Sequence, residues 1–295
     1  MYRQHFGLLR SPFEMTPDPA FLYLGEAHRE GLATLVYGVR ARKGFVLLTG
    51  EVGTGKTTLL HALLSKLDSN TAAAFLFNPK LEPLDFFHVL FDELGIEERC
   101  ATKAEYLLAL NRFLIARLGK GLPTLLIVDE AQNLSPEMLE EIRLLSNLET
   151  PTSKLLQIML VGQPELNQML SRPDLRQLRQ RIVLRHHLRP FDEKETADYV
   201  EERMRLAGYT GPGAFDRGAL REVYEVSRGI PRVLNIVCDG ALLLGFSRGL
   251  PVIGRAQIRE AAKDLELPAW TGADEPAEAV AGAGRRRRGW LGLFR

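Results

Sequence analysis

The chain has 295 residues, of which 38 are Lys or Arg and 37 are Asp or Glu, giving a formal net charge of +1. Hydrophobic residues make up 45% and charged residues 25%, the ordinary composition of a soluble globular protein with a substantial core. This balance excludes a strongly basic or acidic chain, so only local charge can indicate a nucleic-acid or membrane surface. No apolar run approaches the roughly 20 residues that span a bilayer, and the N-terminus lacks the apolar segment of a secretory signal. The sequence predicts a cytoplasmic protein, or one held peripherally at the inner face of a membrane.

The two cysteines, Cys100 and Cys238, lie far apart and belong to no CxxC or Cys/His pattern. Two isolated thiols predict reduced, partly buried side chains and no disulfide framework. This cysteine usage fits a reducing compartment.

The first 30 residues are rich in proline and aromatic residues and predict an irregular but ordered lead-in. Short apolar runs then alternate with helical patterns. The predicted strands are 45–49, 72–77, 124–128, 155–161 and, as a candidate fifth, 182–188, and the predicted helices are 57–67, 83–94, 103–118 and 136–148. Apolar strands separated by helices predict an α/β fold with a parallel sheet covered on both faces.

After Pro190 the pattern changes to helices alone, with no convincing strand between them. The predicted helices are 192–207, 216–227, 231–245 and 255–265. The sequence therefore predicts a first domain over 1–190 and a smaller all-helical domain over 191–268. The small and polar residues of 269–284 predict a flexible linker, and 285–295 form a distinct basic and aromatic tail.

A phosphate-binding pattern, GxxxxGK[ST], occurs as GEVGTGKT between the first apolar run and a helical pattern. Its glycines let main-chain N–H groups curl around phosphate oxygens, and the N-terminus of the next helix adds a favourable dipole. We expect Lys56 to reach the β and γ phosphates and the Thr57 hydroxyl to occupy one Mg²⁺ position. The residues predicted to bind the nucleotide are Gly50, Glu51, Val52, Gly53, Thr54, Gly55, Lys56, Thr57 and Thr58.

An acidic pair, Asp129 and Glu130, follows the apolar run 124–128 and so lies at the C-terminal edge of a buried strand. Ligands bind at this edge in open α/β sheets. Asp129 is predicted to hold Mg²⁺ through water, and Glu130 to orient and polarise the attacking water. An acidic pair alone is more often a helix start or a solvated edge, but the phosphate-binding pattern earlier in the chain favours catalysis.

A third polar strand end is Gln163, which follows the run 155–161. If the two strands are neighbours, Gln163 would lie beside Asp129 and could sense the γ-phosphate. The alternative is a simple loop start.

Three arginines, Arg176, Arg179 and Arg181, precede the last predicted strand. One of them could reach the γ-phosphate of a neighbouring subunit as an arginine finger, and we favour Arg181 over Arg179. The alternative is a solvated basic helix end, which the helix dipole favours.

Arg232 is predicted to lie in the first helical turn after Pro231, where the helix dipole disfavours a cation. This placement indicates a separate role, such as a γ-phosphate contact across the cleft between the domains. The alternative is a surface arginine.

These motifs occur in the order found in AAA+ ATPases. The segments FGLLRSPFEMTPDPAFLYL, LVYGVRARKGFVLLTGEVGTGKTTL, LLIVDEAQNL and LVGQPEL resemble the ExeA (general secretion pathway protein A) group, and the resemblance covers about residues 1–268. It implies a P-loop NTPase with a five-stranded αβα core and a helical lid, with ATP at their junction and often at a subunit interface. It would make Gln163 sensor 1, Arg181 the finger and Arg232 sensor 2, and would place the lead-in near the adenine.

The sequence thus predicts a Mg²⁺-dependent ATPase that converts ATP and water to ADP and phosphate as a homo-oligomer. Its cycle would serve a secretion, export or envelope-polymer assembly system through an inner-membrane protein. Full-length secretion members continue into a transmembrane helix and a peptidoglycan-binding domain that this sequence lacks, so an adaptor or motor role at another partner is expected.

Two alternatives remain from the sequence. One is a DNA-associated AAA+ regulator of the transposition-helper or initiator type, for which the arginine-rich segment 175–189 is the internal candidate. The other is a non-hydrolysing, ATP-gated scaffold, against which the intact acidic pair argues.

The tail over 285–295 combines four arginines with apolar and aromatic residues. This combination leaves docking to an anionic membrane surface or to a partner protein open. The alternatives are a solvated tail, and nucleic-acid contact through arginine charge and tryptophan stacking.

Overall fold

The computed structural model describes residues 1–15, 21–68, 70–77 and 82–264. The predicted linker over 269–284 and the basic and aromatic tail over 285–295 lie outside the described residues. No helix among the residues described combines the length and the hydropathy that a membrane crossing requires.

The first part of the chain forms a sheet of five parallel strands in the spatial order β2-β3-β4-β1-β5. The strands are β1 (Phe45–Gly50), β2 (Ala72–Leu76), β3 (Thr124–Val128), β4 (Gln157–Gly162) and β5 (Ile182–Leu188). The predicted parallel α/β sheet is confirmed. The strand predicted over 155–161 begins later, because the main-chain N–H of Leu155 bonds to the carbonyl of Leu148 and not to a neighbouring strand.

Twelve α-helices occur among the described residues. They are α1 (Tyr2–His5), α2 (Glu26–Arg40), α3 (Lys56–Lys66), α4 (Pro83–Leu94), α5 (Lys103–Gly119), α6 (Pro136–Leu145), α7 (Glu165–Leu170), α8 (Arg176–Arg181), α9 (Glu193–Leu206), α10 (Arg217–Ser227), α11 (Pro231–Ser247) and α12 (Arg255–Asp264). Short 3₁₀ turns lie at Ala131–Asn133 and Pro173–Leu175. Side-chain caps fix several helix starts, as at Ser135 and Asp192, and Pro136 and Pro231 occupy first helical positions.

The sheet is buried on both faces because successive side chains of its central strands point to opposite sides. Phe45 and Leu47 of β1 pack with the cluster that includes α4, α5 and α6, whereas Val46 and Leu48 pack with α2 and α3. All four side chains are at most 2% exposed. Because both faces are covered, a ligand can reach the sheet at the carboxyl ends of its strands.

The prediction of an irregular lead-in up to residue 30 is wrong at its end, because α2 begins at Glu26. Two glycines obscure its helical pattern. A Cβ at Gly31 would lie 2.8 Å from the His186 ring, and one at Gly38 would lie 2.7 Å from Val46. Glycine lowers helix propensity, but here it lets α2 approach the sheet closely.

The four helices α9 to α12 enclose a separate apolar cluster, and the lead-in contributes to it. The lead-in side chains in this cluster are Phe6, Leu8, Phe13 and Phe21. The main-chain N–H of Leu9 donates to the Ala207 carbonyl at 2.8 Å, and the Tyr2 hydroxyl donates to Asp239 at 2.6 Å. The start of the chain is therefore attached to the helical part, which we call the helical lid.

Candidate nucleotide-binding and hydrolysis site

The phosphate-binding loop connects β1 to α3 at the open edge of the sheet. Gly53 and Gly55 have φ values of 82° and 98°, a left-handed conformation that only glycine adopts without strain. Helix α3 begins at Lys56, so its N-terminal main-chain N–H groups adjoin the loop. The loop therefore has the main-chain form that the sequence pattern requires for holding phosphate oxygens.

The ammonium of Lys56 lies inside this loop and is only 7% exposed. Its Nζ donates to the carbonyl oxygens of Gly50 at 2.8 Å and Glu51 at 3.0 Å. Burial lowers the pKa of Lys56, although the nearby Glu130 and Asp129 carboxylates oppose this shift. An ammonium carries three N–H donors, so one remains for a phosphate oxygen beyond these two bonds to described residues.

A carboxylate and a hydroxyl meet at the end of β3. Thr57 Oγ1 donates to Asp129 Oδ2 at 3.4 Å, and the main-chain N–H of Glu130 donates to Asp129 Oδ1 at 2.9 Å. Asp129 is 5% exposed, and burial raises the pKa of its carboxyl group.

This oxygen pair has the hard donor atoms that Mg²⁺ prefers. No cluster of three or more metal-ligating His, Cys, Asp or Glu side chains occurs among the residues described. A cation here would thus rely on Thr57 and Asp129 together with phosphate and water oxygens, which is the usual way that Mg²⁺ is bound. The side chains present fit the predicted metal.

The end of β4 is the immediate neighbour of the end of β3, as Val128 pairs with Leu160. Gln163 follows β4, and its Nε2 donates to Glu130 Oε2 at 3.3 Å. The condition set by the sequence, that these strands be neighbours, is therefore met. Within the acidic pair, Gln163 contacts Glu130.

A second glutamine, Gln132, lies between these groups and was missed by the sequence analysis. Its Nε2 donates to Glu130 Oε2 at 2.6 Å, and its Oε1 accepts the main-chain N–H of Gln163 at 3.1 Å. The 3₁₀ turn after Glu130 brings this side chain back over the carboxylate. Glu130 itself has a φ of 51°, an uncommon left-handed value for a residue with a side chain.

Arg232 lies where the helical lid meets the loop. Its main-chain N–H donates to the Gly53 carbonyl at 3.2 Å, and its side chain is exposed. A Cβ built at Gly53 would lie 2.7 Å from the Cβ of Arg232. The first turn of α11 is thus in direct contact with the phosphate-binding loop at Gly53.

Within one chain, the Arg181 side chain bonds to α6 and not to the residues of this site. Its Nη1 donates to the Arg143 carbonyl at 3.2 Å and to the Ser146 hydroxyl, at the C-terminal end of α6. Arg176 and Arg179 are exposed at the surface of α8. The role of Arg181 as a finger toward a neighbouring subunit stays a prediction.

His28, in the first turn of α2, is a further residue that the sequence analysis missed. Its Nε2 lies 2.9 Å from the Thr54 carbonyl of the loop, and its ring centroid lies 5.0 Å from that of Phe191, just before α9. The side chain is 3% exposed, and burial lowers its pKa. No feature of the sequence separates this histidine from an ordinary helix residue.

Comparison with known proteins agrees with this geometry. Residues 39–170 match the protein family described as AAA domain. General secretion pathway protein A of Aeromonas hydrophila is 45% identical over 266 residues, which are 90% of this chain and 48% of that protein. The chain therefore spans about half the length of this curated relative.

Three solved structures are also similar. Drosophila ORC bound to DNA has a TM-score of 0.64 at 17% identity, covering 90% of this chain and 67% of that one. Aeropyrum pernix ORC2 in its ADPNP-ADP complexes has a TM-score of 0.63 at 16% identity, covering 86% and 71%. The Thermotoga maritima RuvB Holliday junction branch migration motor has a TM-score of 0.53 at 18% identity, covering 83% and 71%. At these identities the likeness shows the fold.

Proposed function

Because this chain belongs to the AAA+ ATPases and is homologous to general secretion pathway protein A, we propose that it binds Mg²⁺-ATP and hydrolyses it to ADP and phosphate. One observation carries the proposal. Thr57 Oγ1, at the start of α3, and Asp129 Oδ2 lie 3.4 Å apart, while Glu130 contacts Gln163 at the next strand end. The loop, the Thr57 and Asp129 oxygens and the Glu130 carboxylate share one edge of the sheet, which supports the proposal.

In this proposal residues 50–58, the loop and the start of α3, hold the triphosphate, and Thr57 and Asp129 hold the metal. When bound, Mg²⁺ would neutralise charge on the β and γ phosphate oxygens. Glu130 orients and polarises the attacking water, and Gln163 senses the γ-phosphate. Lys56 and Arg232 stabilise the charge that develops on the transferring phosphoryl group.

The proposed catalytic unit has two domains, the αβα domain that ends at residue 190 and the helical lid from residue 191 onward, in whose apolar cluster the lead-in also packs. ATP lies between them, so that its hydrolysis alters the angle of the lid. The contact between Arg232 and Gly53 supports this arrangement, because the lid already adjoins the loop in the single chain.

The active form is a homo-oligomer in which a neighbour supplies an arginine. Arg181 would first have to leave its contacts with α6, whereas Arg179 is already exposed. Mixing tests this. An Arg181→Ala chain with an intact site should regain phosphate release when mixed with Glu130→Gln, which keeps its arginine. If mixing with Glu130→Gln restores phosphate release to Arg179→Ala but not to Arg181→Ala, the arginine finger is Arg179.

The pathway we propose is a secretion, export or envelope-polymer assembly system, with the protein peripheral at the inner face of the membrane. The relative's name supports a secretion pathway, and 285–295 would supply the contact with anionic lipid or with an inner-membrane protein. Flotation with vesicles of anionic and of neutral lipid, for the full chain and one ending at 284, tests the lipid part. Equal flotation of the two chains would contradict a lipid contact through 285–295.

A DNA-associated role is the second candidate. The exposed Arg176, Arg179 and Arg185 near β5 favour it, and one similar solved structure is of a protein bound to DNA. Contacts to phosphate backbones weaken steeply with salt. A gel-shift titration at two salt concentrations, with and without ATP, should show salt-dependent retardation if this role is correct, and none otherwise.

Calorimetry with ATP and an assay of phosphate release test the ATPase proposal itself. The parent chain should bind ATP in the presence of Mg²⁺ and release phosphate at high protein concentration, where oligomers form. Lys56→Ala should lose both. Absence of ATP binding by the parent chain would overturn the proposal.

A further inference from the structure

Gln132 connects two parts of the site that come from different strands. Its side-chain amide bonds to the Glu130 carboxylate through Nε2, at 2.6 Å, and to the main-chain N–H of Gln163 through Oε1, at 3.1 Å. The N–H of Gln163 can only donate and the ionised carboxylate can only accept. The orientation of the amide is therefore determined by its two partners, and a single planar group fixes Glu130 relative to the end of β4.

Chemistry limits which side chain can make this bridge. A glutamate at 132 would keep the acceptor for Gln163 but would replace the donor by a second negative oxygen facing Glu130. An alanine would make neither bond. Only the glutamine amide satisfies both neighbours at this position and length.

Gly162 provides the space for the bridge. A Cβ built there would lie 2.6 Å from Gln132 Oε1 and 3.0 Å from Leu166 Cδ2. The φ of Gly162 is not in the left-handed region, so glycine is required here for space and not for backbone conformation. The last residue of β4 thus accommodates the Gln132 amide.

We propose that Gln132 is a positioning residue for hydrolysis, an inference that rests on the proposed ATPase function. Glu130 Oε2 accepts from both Gln132 and Gln163, but the Gln163 bond is longer, at 3.3 Å. Gln163 can therefore turn to a γ-phosphate while Gln132 keeps the carboxylate in place. The same amide holds the main chain of Gln163, so the water-polarising group and the phosphate sensor keep a fixed spacing.

Misplacing a catalytic group by about 1 Å costs up to about a hundredfold in rate. We therefore expect Gln132→Glu and Gln132→Ala to lower kcat by about ten- to a hundredfold, while KM for ATP changes less than about threefold. Thermal unfolding and ATP binding should stay close to those of the parent. Gln168, exposed on α7, provides the matched control Gln168→Ala, which should keep the parent kcat.

A double-mutant cycle with Gly162 separates positioning from a general effect on folding. Gly162→Ala alone should lower kcat, because the new methyl group displaces the amide. In the Gln132→Ala background the same change should have no further effect on kcat, since its target is gone. Gly119→Ala is the control for the glycine change, because nothing lies within 4 Å of a Cβ there.

The outcomes distinguish this inference from the proposal on which it rests. If the parent chain releases no phosphate at high concentration, the ATPase function fails. If the parent hydrolyses ATP and Gln132→Glu keeps its kcat, the positioning role of Gln132 is wrong. If Gly162→Ala and Gln132→Ala multiply their effects on kcat, the two residues act separately and the bridge is not what they share.

Discussion

The main-chain N–H of Arg232 donates to the carbonyl of Gly53 at 3.2 Å, so one hydrogen bond joins the helical lid to the phosphate-binding loop. Gly53 has a φ of 82°, and a Cβ there would lie 2.7 Å from the Cβ of Arg232. Any side chain at 53 would thus strain the loop and push the lid away.

Gly53→Ala should therefore lose most ATP binding, measured by calorimetry. Gly121→Ala is its matched control, because Gly121 has a φ of 73° but no atom within 4 Å of a Cβ. Both variants should lose about 1 kcal/mol of unfolding free energy from left-handed strain. Only Gly53→Ala should lose the nucleotide, and equal ATP affinity of the two variants would contradict the proposed role of this contact.

Glu130→Gln should keep ATP binding and lose turnover by at least about a hundredfold, because an amide cannot polarise water as a carboxylate does. Binding by calorimetry and phosphate release in the same buffer are the measurements. Glu137→Gln, an exposed position on α6, should behave as the parent. Phosphate release at the parent rate from Glu130→Gln would show that another group handles the water.

The stability of the protein should fall as pH drops below about 6.5, the pKa of histidine in an unfolded chain. Burial lowers the pKa of His28, and also that of His186, so the unfolded chain binds more protons in this window. Above about pH 6.5 both states hold neutral histidine, and the contribution to stability is fully present.

Replacing His28 tests its share of this dependence. His28→Gln should flatten the fall in unfolding free energy between about pH 7 and 5, measured by urea denaturation, and leave the part due to His186. His61→Gln, at an exposed position of α3, is the matched control. An unchanged slope in His28→Gln would mean that the histidine titrates alike in both states.

The two cysteines should differ in reactivity. Burial raises the pKa of both thiols, but Cys238 is fully buried in α11, whereas Cys100 is partly exposed. Thiol reagents attack the thiolate, so an aromatic disulfide reagent should modify Cys100 in the native protein and Cys238 only after unfolding. Cys100→Ser should abolish the native reaction. Rapid native labelling of that variant would show that the lid opens readily around Cys238.

The parts of the site that the sequence predicted share one property: their positions follow from local geometry. The phosphate-binding loop is a short glycine-rich turn between a strand and a helix, and the acidic pair directly ends β3. Gln163 was predictable because parallel strands end at one edge, so a polar strand end meets its neighbour's. The proposed roles of these residues remain to be tested.

The missed features depend on contacts between distant segments. Helix α2 was not predicted because Gly31 and Gly38 lower its helix propensity. These glycines are needed where the helix approaches the sheet closely. Gln132 matters only because a 3₁₀ turn directs it toward the end of β4. His28 is distinguished by a carbonyl in another segment and a ring beside α9. Neither hydrophobic periodicity nor motif spacing predicts contacts between segments that are distant in sequence.

The shared cluster of the lead-in and the helical lid has a consequence for how the protein is made. Phe6, Phe13 and Phe21 are synthesised more than 200 residues before Leu234 and Leu242, which pack in the same cluster. Contacts so distant in sequence form slowly and expose apolar surface in the interval. These aromatic side chains therefore stay without their packing partners until helix α11 has been synthesised.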